Sequence, residues 1–201
     1  MFHPDLLFQT TLKNHINNYT FFHYHKEEAL HLSQRETEKV TCCLWNIEEE
    51  LHHSIDTHSR TILSRHIELL LDYCTRYYER QFITRCEANK KIMKKTDVLL
   101  KDYILSGKLK YNTSPSLGYC AKILQLSSHY FNDLLKFESG KNIDEYFESK
   151  RLEMAKSMLL DSNNTVSVVT EKLGYPNIRY FSRLFKRITG VAPNNYRLSQ
   201  N

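Results

Sequence analysis

A twelve-residue segment occurs twice in this chain, fifty positions apart. The first copy, HYFNDLLKFESG, begins at residue 129, and the second, RYFSRLFKRITG, begins at residue 179. Identical residues at this offset are Tyr130/Tyr180, Phe131/Phe181, Leu134/Leu184, Lys136/Lys186, Gly140/Gly190 and Tyr146/Tyr196. Such regular spacing indicates that the chain contains the same supersecondary unit twice.

Each copy has the pattern of an amphipathic helix. The apolar face comprises Phe131, Leu134 and Leu135 in the first copy and Phe181, Leu184 and Phe185 in the second. The polar face comprises His129, Asn132, Asp133 and Lys136 in the first copy and Arg179, Ser182, Arg183 and Lys186 in the second. Gly140 and Gly190 predict the helix ends, because glycine readily adopts the positive φ of a C′ residue. A shorter helix precedes each copy across a turn, so each unit is typical of a helix-turn-helix.

The segment between the copies, residues 142–161, contains no helix-breaking residue. Its apolar residues at helical spacing are Ile143, Phe147, Met154, Met158 and Leu159. This pattern predicts one continuous helix of about 19 residues and about 28 Å. A turn of B-DNA is about 34 Å, so such a helix would hold two recognition helices in successive major grooves of a slightly bent duplex. The pattern alone also fits an α-helical solenoid with solvated outer faces.

Charge is distributed unevenly along the chain. Residues 1–88 contain nine Lys and Arg against thirteen Asp and Glu, a net charge of −4, whereas residues 89–201 contain nineteen against ten, a net of +9. A basic half favours a polyanion-binding domain. We therefore expect an all-α chain with three parts: a helical N-terminal region (1–88), a connecting helix and loop (89–112), and a double helix-turn-helix domain (113–201).

Two segments carry a resemblance to a known family. The stretches RLEMAKSMLL and VVTEKLGYPNIRYFSRLFKRITGVAPNNYR resemble the linker helix and the C-terminal signature of AraC/XylS-type bacterial transcription regulators. The resemblance covers about residues 95–198. It implies sequence-specific binding to double-stranded DNA and regulation of transcription, with RNA polymerase as a further candidate partner. Thr170 departs from the family's usual Ala, and its hydroxyl needs a partner if it is buried.

The polar faces supply the candidate DNA-binding residues. We expect His129, Asn132, Asp133, Arg179, Ser182 and Arg183 to face base edges. Arg183 or Arg179 suits guanine, Asn132 suits adenine, and Asp133 can accept from cytosine N4. Lys136, Lys186 and Arg187 are expected to contact phosphates. Ser128 and Asn177, at the helix starts, are expected to cap the helices and to contact phosphate through backbone N–H groups.

The N-terminal half predicts two further helices. Val40, Cys43, Leu44, Ile47 and Leu51 would share one face of the first, and Leu63, Ile67, Leu70, Cys74 and Tyr77 form a short coiled-coil-like stripe on the second. The stripe either packs within the chain or forms a homodimer contact within residues 36–80. Full-length members of the family carry a β-rich effector domain, and residues 1–88 are expected to be a helical remnant of that region. A rival interpretation is a module without a sensor that heterodimerises with a complete regulator.

Other functional classes lack support in the sequence. Nine of ten histidines lie in the first 66 residues, but their spacings match no zinc pattern. The five cysteines include no C-x-x-C pair and are expected to be reduced. We find no nucleophile motif or phosphate-binding loop, and therefore expect no enzyme activity, cofactor or metal. Without a signal peptide or membrane span, we expect a cytoplasmic protein.

Overall fold

The protein is described by a computed structural model that covers residues 4–8, 10–111, 114–161 and 163–198. The α-helices are α1 Leu12–His15, α2 Gln34–His52, α3 Ser59–Thr84, α4 Cys86–Leu105, α5 Leu117–Leu124, α6 Ser128–Ser139, α7 Ile143–Leu160, α8 Val166–Lys172, α9 Ile178–Thr189 and α10 Pro193–Leu198. Short 3-10 helices span Pro4–Leu7, Ile16–Asn18, Thr20–His23, Lys26–Glu28 and Lys108–Tyr111. No β-strand occurs in these ranges, so the predicted all-α class is confirmed. No helix in the described part is long and apolar enough to cross a membrane.

The chain divides into two compact units, Met1–Ala88 and Asn89–Asn201. In the first unit, α2 packs along α3. Ser33 begins α2 with a capping box, because its Oγ accepts from the Glu36 N–H and the Glu36 carboxylate accepts from the Ser33 N–H. Arg80 of α3 donates to both carboxylate oxygens of Glu36, at 3.0 and 2.7 Å. This bidentate pair joins the start of α2 to α3.

The predicted stripe on α3 packs within the chain. Leu63, Ile67 and Tyr77 are buried, and Leu70 and Cys74 are half-buried. Ile67 packs against Leu7 and Leu12, which precede α2. The stripe is therefore not available as a seam between two chains, and the intramolecular interpretation is the one that the structure supports.

The predicted apolar face of α2 is only partly correct. Cys43 is buried and Val40 and Ile47 are half-buried, but Leu44 and Leu51 are 50% and 64% exposed. The reason is that α2 packs mainly along one other helix, so a narrow strip of its surface is covered.

The second unit has one core that includes α4. Leu100, Tyr103 and Ile104 of α4 belong to the same buried cluster as Phe131 and Phe181. The sequence predicts residues 89–112 as a connection, whereas the structure makes α4 part of this unit's fold. The cluster also takes in Leu109 from the 3-10 helix that follows α4.

Helix α7 is the predicted continuous helix between the two copies. It has 18 residues, which corresponds to about 27 Å. Asn142 and Glu145 form a capping box at its start. The predicted Met154 and Met158 are only half-buried, whereas Leu152 and Ala155 are buried. Because α6, α8 and α10 all pack against α7, its buried surface is wider than a single apolar stripe.

Candidate nucleic-acid interface

The two repeated segments form the second helices of two helix-turn-helix units, α5–α6 and α8–α9. On α6, Phe131, Leu134 and Leu135 are fully buried. On α9, Phe181, Leu184 and Phe185 are likewise buried. The apolar faces are therefore those that the spacing predicts, and they turn the polar residues between them away from the core.

The ends of these two helices are fixed as predicted, with one correction. Gly140 and Gly190 end α6 and α9 with φ of +69° and +81°. Asn177 caps α9, because its Oδ1 accepts from the Tyr180 N–H at 2.8 Å. The capping prediction for Ser128 is wrong: Ser127 is the cap of α6, and its Oγ accepts from the Tyr130 N–H at 3.1 Å. Ser128 is the first residue inside the helix.

On α6, the outward residues differ in exposure. His129 and Lys136 are exposed, whereas Asn132 and Asp133 are half-buried. The side-chain amide of Asn132 donates to Asp133 Oδ1 at 3.4 Å. Two of the three predicted base readers of the first unit therefore contact each other.

On α9, the outward face is strongly basic. Arg179, Arg183, Lys186 and Arg187 are exposed, and Ser182 is half-buried. Helix α9 contains no acidic residue, whereas α6 contains Asp133 and Glu138 beside Lys136. The second unit consequently offers a polyanion the stronger positive potential.

Tyr130 and Tyr180 occupy equivalent positions in the repeat but different environments. Tyr130 is 4% exposed and Tyr180 is 52% exposed. In the second unit the Tyr175 ring lies 5.0 Å from the ring centroid of Phe181 and 6.3 Å from that of Tyr180. Sequence reasoning missed Tyr180 as an exposed aromatic residue beside Arg179. The second unit is one residue longer than the first between the starts of its two helices, and Tyr175 in its turn packs beside Tyr180. This difference in length was the sequence signal that the two tyrosines have different surroundings.

Thr170 is accommodated without an unpaired hydroxyl. It is 3% exposed, and its Oγ1 donates to the Val166 carbonyl at 2.7 Å within α8. Burial of a polar group costs little when it is hydrogen-bonded in this way.

Arg151 of α7 is a residue that sequence reasoning did not single out. Its guanidinium carbon lies 4.0 Å from the Tyr175 ring centroid, and its Nη2 donates to the Leu173 carbonyl at 2.8 Å. Glu148 accepts from both Arg151 (3.0 Å) and the Tyr175 hydroxyl (2.8 Å). Burial and the Glu148 charge raise the pKa of Tyr175, so its hydroxyl remains the donor. The sequence signal for Arg151 was its position in α7, where a charged residue stands four residues from apolar residues on either side.

A helix-turn-helix domain family matches residues 120–199. The chain is 39% identical over 77 residues to the HTH-type transcriptional regulator YobQ of Bacillus subtilis, covering 38% of this chain and 32% of that protein. It is 36% identical over 87 residues to YtdP of the same species, covering 43% of this chain and 11% of that protein. It is 34% identical over 89 residues to the raffinose operon transcriptional regulatory protein RafR of Pediococcus pentosaceus, covering 44% and 32%. The chain thus spans a third or less of the length of these relatives.

The chain is also similar to solved structures of regulator domains. The C-terminal domain of the response regulator AraT from Geobacillus stearothermophilus is 27% identical, with a TM-score of 0.43, covering 54% of this chain and 84% of that chain. The C-terminal domain of the response regulator yesN from Fusobacterium nucleatum is 27% identical, with a TM-score of 0.38, covering 49% and 94%.

The family match, with the two capped and glycine-terminated units, defines the second unit as a helix-turn-helix domain. More specifically, residues 120–199 are a helix-turn-helix domain of the AraC type, and the resemblance found in the sequence is confirmed.

Proposed function

We propose that this protein binds double-stranded DNA sequence-specifically and regulates transcription. The observation that carries the proposal is the pair of helices, α6 and α9, that bury equivalent apolar faces and carry exposed and half-buried polar residues on the opposite faces. The relatives support it, because they are described as transcriptional regulators, RafR among them. The net positive charge of residues 89–201 is the expected partner for phosphate.

The two helices are proposed to enter successive major grooves. Helix α7 connects the two units, and its 18 residues span about 27 Å. The repeat of B-DNA is about 34 Å, so binding both grooves on one face is expected to bend the duplex slightly toward the protein.

Roles follow from the chemistry of the outward residues. We propose Arg183 or Arg179 as a bidentate reader of guanine, and Asn132 and Asp133 as readers of adenine and cytosine. His129 and Ser182 complete the base-facing surface. Lys136, Lys186 and Arg187 are proposed to hold phosphates, together with the backbone N–H groups near Ser128 and Asn177.

A homodimer through residues 36–80 remains a second part of this proposal, with a different surface from the α3 stripe. The large apolar side chains that α2 leaves exposed are Leu44, Trp45 and Leu51, at 50%, 65% and 64%. A second copy would have to cover these residues. The rival heterodimerising module would use the same surface, but it would not depend on contacts of α6 and α9 with DNA.

The proposal is tested by selecting sites from a pool of random DNA duplexes with the purified chain. We expect an enriched site with two conserved halves centred about 10 base pairs apart. The dissociation constant for that site should rise steeply between two salt concentrations, because each neutralised phosphate releases counterions. An equal constant at both concentrations, or no enrichment, would contradict DNA recognition. Enrichment of a single half would contradict the use of both helices.

A further inference from the structure

Arg151 lies on a buried ridge of α7. Ile143, Phe147, Ala155 and Leu159 stand at spacings of four residues and are all buried, and Arg151 occupies the middle position of that series. Its side chain is only 11% exposed. A charged side chain in such a place needs partners that compensate for its lost hydration.

Those partners belong to the turn of the second helix-turn-helix. Leu173 ends α8 as its C-cap residue, and its carbonyl accepts from Arg151 Nη2. Tyr175 follows in the turn, and its ring covers the guanidinium face. Glu148, one turn earlier on α7, accepts from both Arg151 and Tyr175. Three side chains and one carbonyl thus contact one another around the guanidinium, whose Nε is buried without a hydrogen-bond partner among the described residues.

The contacts continue into α9. The Tyr175 ring, stacked on Arg151, lies 5.0 Å from the ring centroid of Phe181. Phe181 is fully buried on the inner face of α9. Arg151 is therefore connected through one aromatic ring to the helix that carries Arg179 and Arg183.

The neighbouring cation makes different contacts. Lys150 Nζ lies 3.1 Å from Asp97 of α4 and 3.2 Å from Glu153. Asp97 also accepts from the Tyr146 hydroxyl at 2.7 Å. Consecutive residues of α7 are thus joined to different elements, Lys150 to α4 and Arg151 to the turn before α9.

We propose that Arg151 is a positioning residue that sets the orientation of α9 on the linker helix α7. The inference rests on the proposed function insofar as α9 reads DNA. Base readers work only when they are held within about 0.5 Å and 10–20° of the productive geometry. A planar guanidinium that stacks on one ring and donates in a fixed fork meets this requirement, and an ammonium does not.

The first test uses the duplex selected by the wild type. Arg183→Ala identifies the half of the site that α9 reads, because preference there should disappear. In Arg151→Met we expect base discrimination in that half to fall about tenfold, the scale of one bidentate base contact, while the other half keeps its preferences. Arg151→Lys should not restore it. Lys150→Met is the matched control and should leave both halves unchanged.

A second test does not depend on DNA. In Arg151→Met, amide hydrogen exchange should accelerate in residues 173–189 and stay at wild-type rates in α6. Tyr175→Leu removes the other partner of the stack and should give the same two results. Circular dichroism establishes that each variant is folded.

Unchanged discrimination together with unchanged exchange in folded Arg151→Met would overturn the proposal. Equal loss in both halves would overturn it as well, since that is the result of general destabilisation. If the wild type selects no DNA site, the proposed function fails, and the exchange experiment alone then decides whether Arg151 positions α9.

Discussion

Gly174, in the turn between α8 and α9, lies against the backbone of Leu109. A Cβ built on Gly174 would stand 2.5 Å from Leu109 Cβ and 2.7 Å from the Leu109 carbonyl oxygen. Leu109 belongs to the 3-10 helix Lys108–Tyr111, which precedes the first helix-turn-helix unit. The contact therefore joins the 3-10 helix before the first helix-turn-helix unit to the turn of the second unit.

This contact predicts that Gly174→Ala is strongly destabilising. Gly174 has φ of +67°, where a residue with a Cβ is strained by about 1–2 kcal/mol, and the new methyl would also overlap the Leu109 backbone. Overpacking of this kind adds about 1–3 kcal/mol. Gly190→Ala is the control, because Gly190 has φ of +81° and no atom within 4 Å of its added Cβ. Urea unfolding of both variants should show the larger loss for Gly174→Ala, and equal losses would refute the close contact.

The assignment of caps predicts a difference between adjacent serines. Ser127→Ala removes the acceptor for the Tyr130 N–H and should lower the free energy of unfolding by about 1 kcal/mol, as should Asn177→Ala for α9. Ser128→Ala should change it by less than about 0.5 kcal/mol. Thermal melts of the three variants measure this. If Ser128→Ala lowered the free energy of unfolding as much as Ser127→Ala does, the assignment of Ser127 as the cap would be wrong.

The outward residues of α9 predict two kinds of binding defect. Arg183→Ala should weaken binding to the selected duplex by about 1–3 kcal/mol and binding to random duplex very little, if Arg183 reads a base. Lys186→Ala should weaken both by similar factors and reduce the slope of affinity against salt by about one. Fluorescence anisotropy with both duplexes separates the two patterns. The same pattern in both variants would mean that the division into base readers and phosphate contacts is wrong.

The N-terminal helices predict that stability and association depend on different residues. Ile67→Ala removes buried carbon atoms from a side chain that is 6% exposed and leaves a cavity. It should lower the free energy of unfolding by about 2–5 kcal/mol at any protein concentration. Trp45→Glu alters a side chain that is 65% exposed in the single chain, so the chain should still fold, and its melting temperature should fall only by what association contributes to the wild type. Sedimentation analysis should then show a dimer for the wild type and a monomer for Trp45→Glu. A wild-type monomer would exclude the proposed homodimer.

The second unit was predictable because its signals are local. Phe131 and Phe181 repeat at one offset with helical neighbours, and Gly140 and Gly190 mark the ends. What could not be predicted depends on contacts distant in the sequence. Tyr130 and Tyr180 are the same residue type at equivalent positions, yet Tyr130 is buried whereas Tyr180, which lies beside Tyr175, is 52% exposed.

The same limit applies to charged and apolar residues elsewhere. Arg151 is compensated by a carbonyl 22 residues away, which no local pattern reveals. On α2, Leu44 and Cys43 are neighbours in one apolar segment, and only the packing of α3 decides which of them is covered. The choice of Ser127 over Ser128 as the cap depends on the helix register, which two adjacent serines leave undetermined.

The unequal charges of α6 and α9 affect the expected kinetics of DNA binding. On the proposed function, an approaching duplex meets the stronger attraction at α9, whose four cations lack an acidic neighbour within the helix. Binding is then expected to proceed in two stages, an early, salt-sensitive capture by the second unit and a slower docking of α6, where Asn132 and Asp133 must first exchange their mutual contact for bases. In stopped-flow mixing, added salt should slow the first stage and leave the second nearly constant. With this order of steps, the protein would move along DNA while bound through α9 and would form the specific complex only when α6 docks.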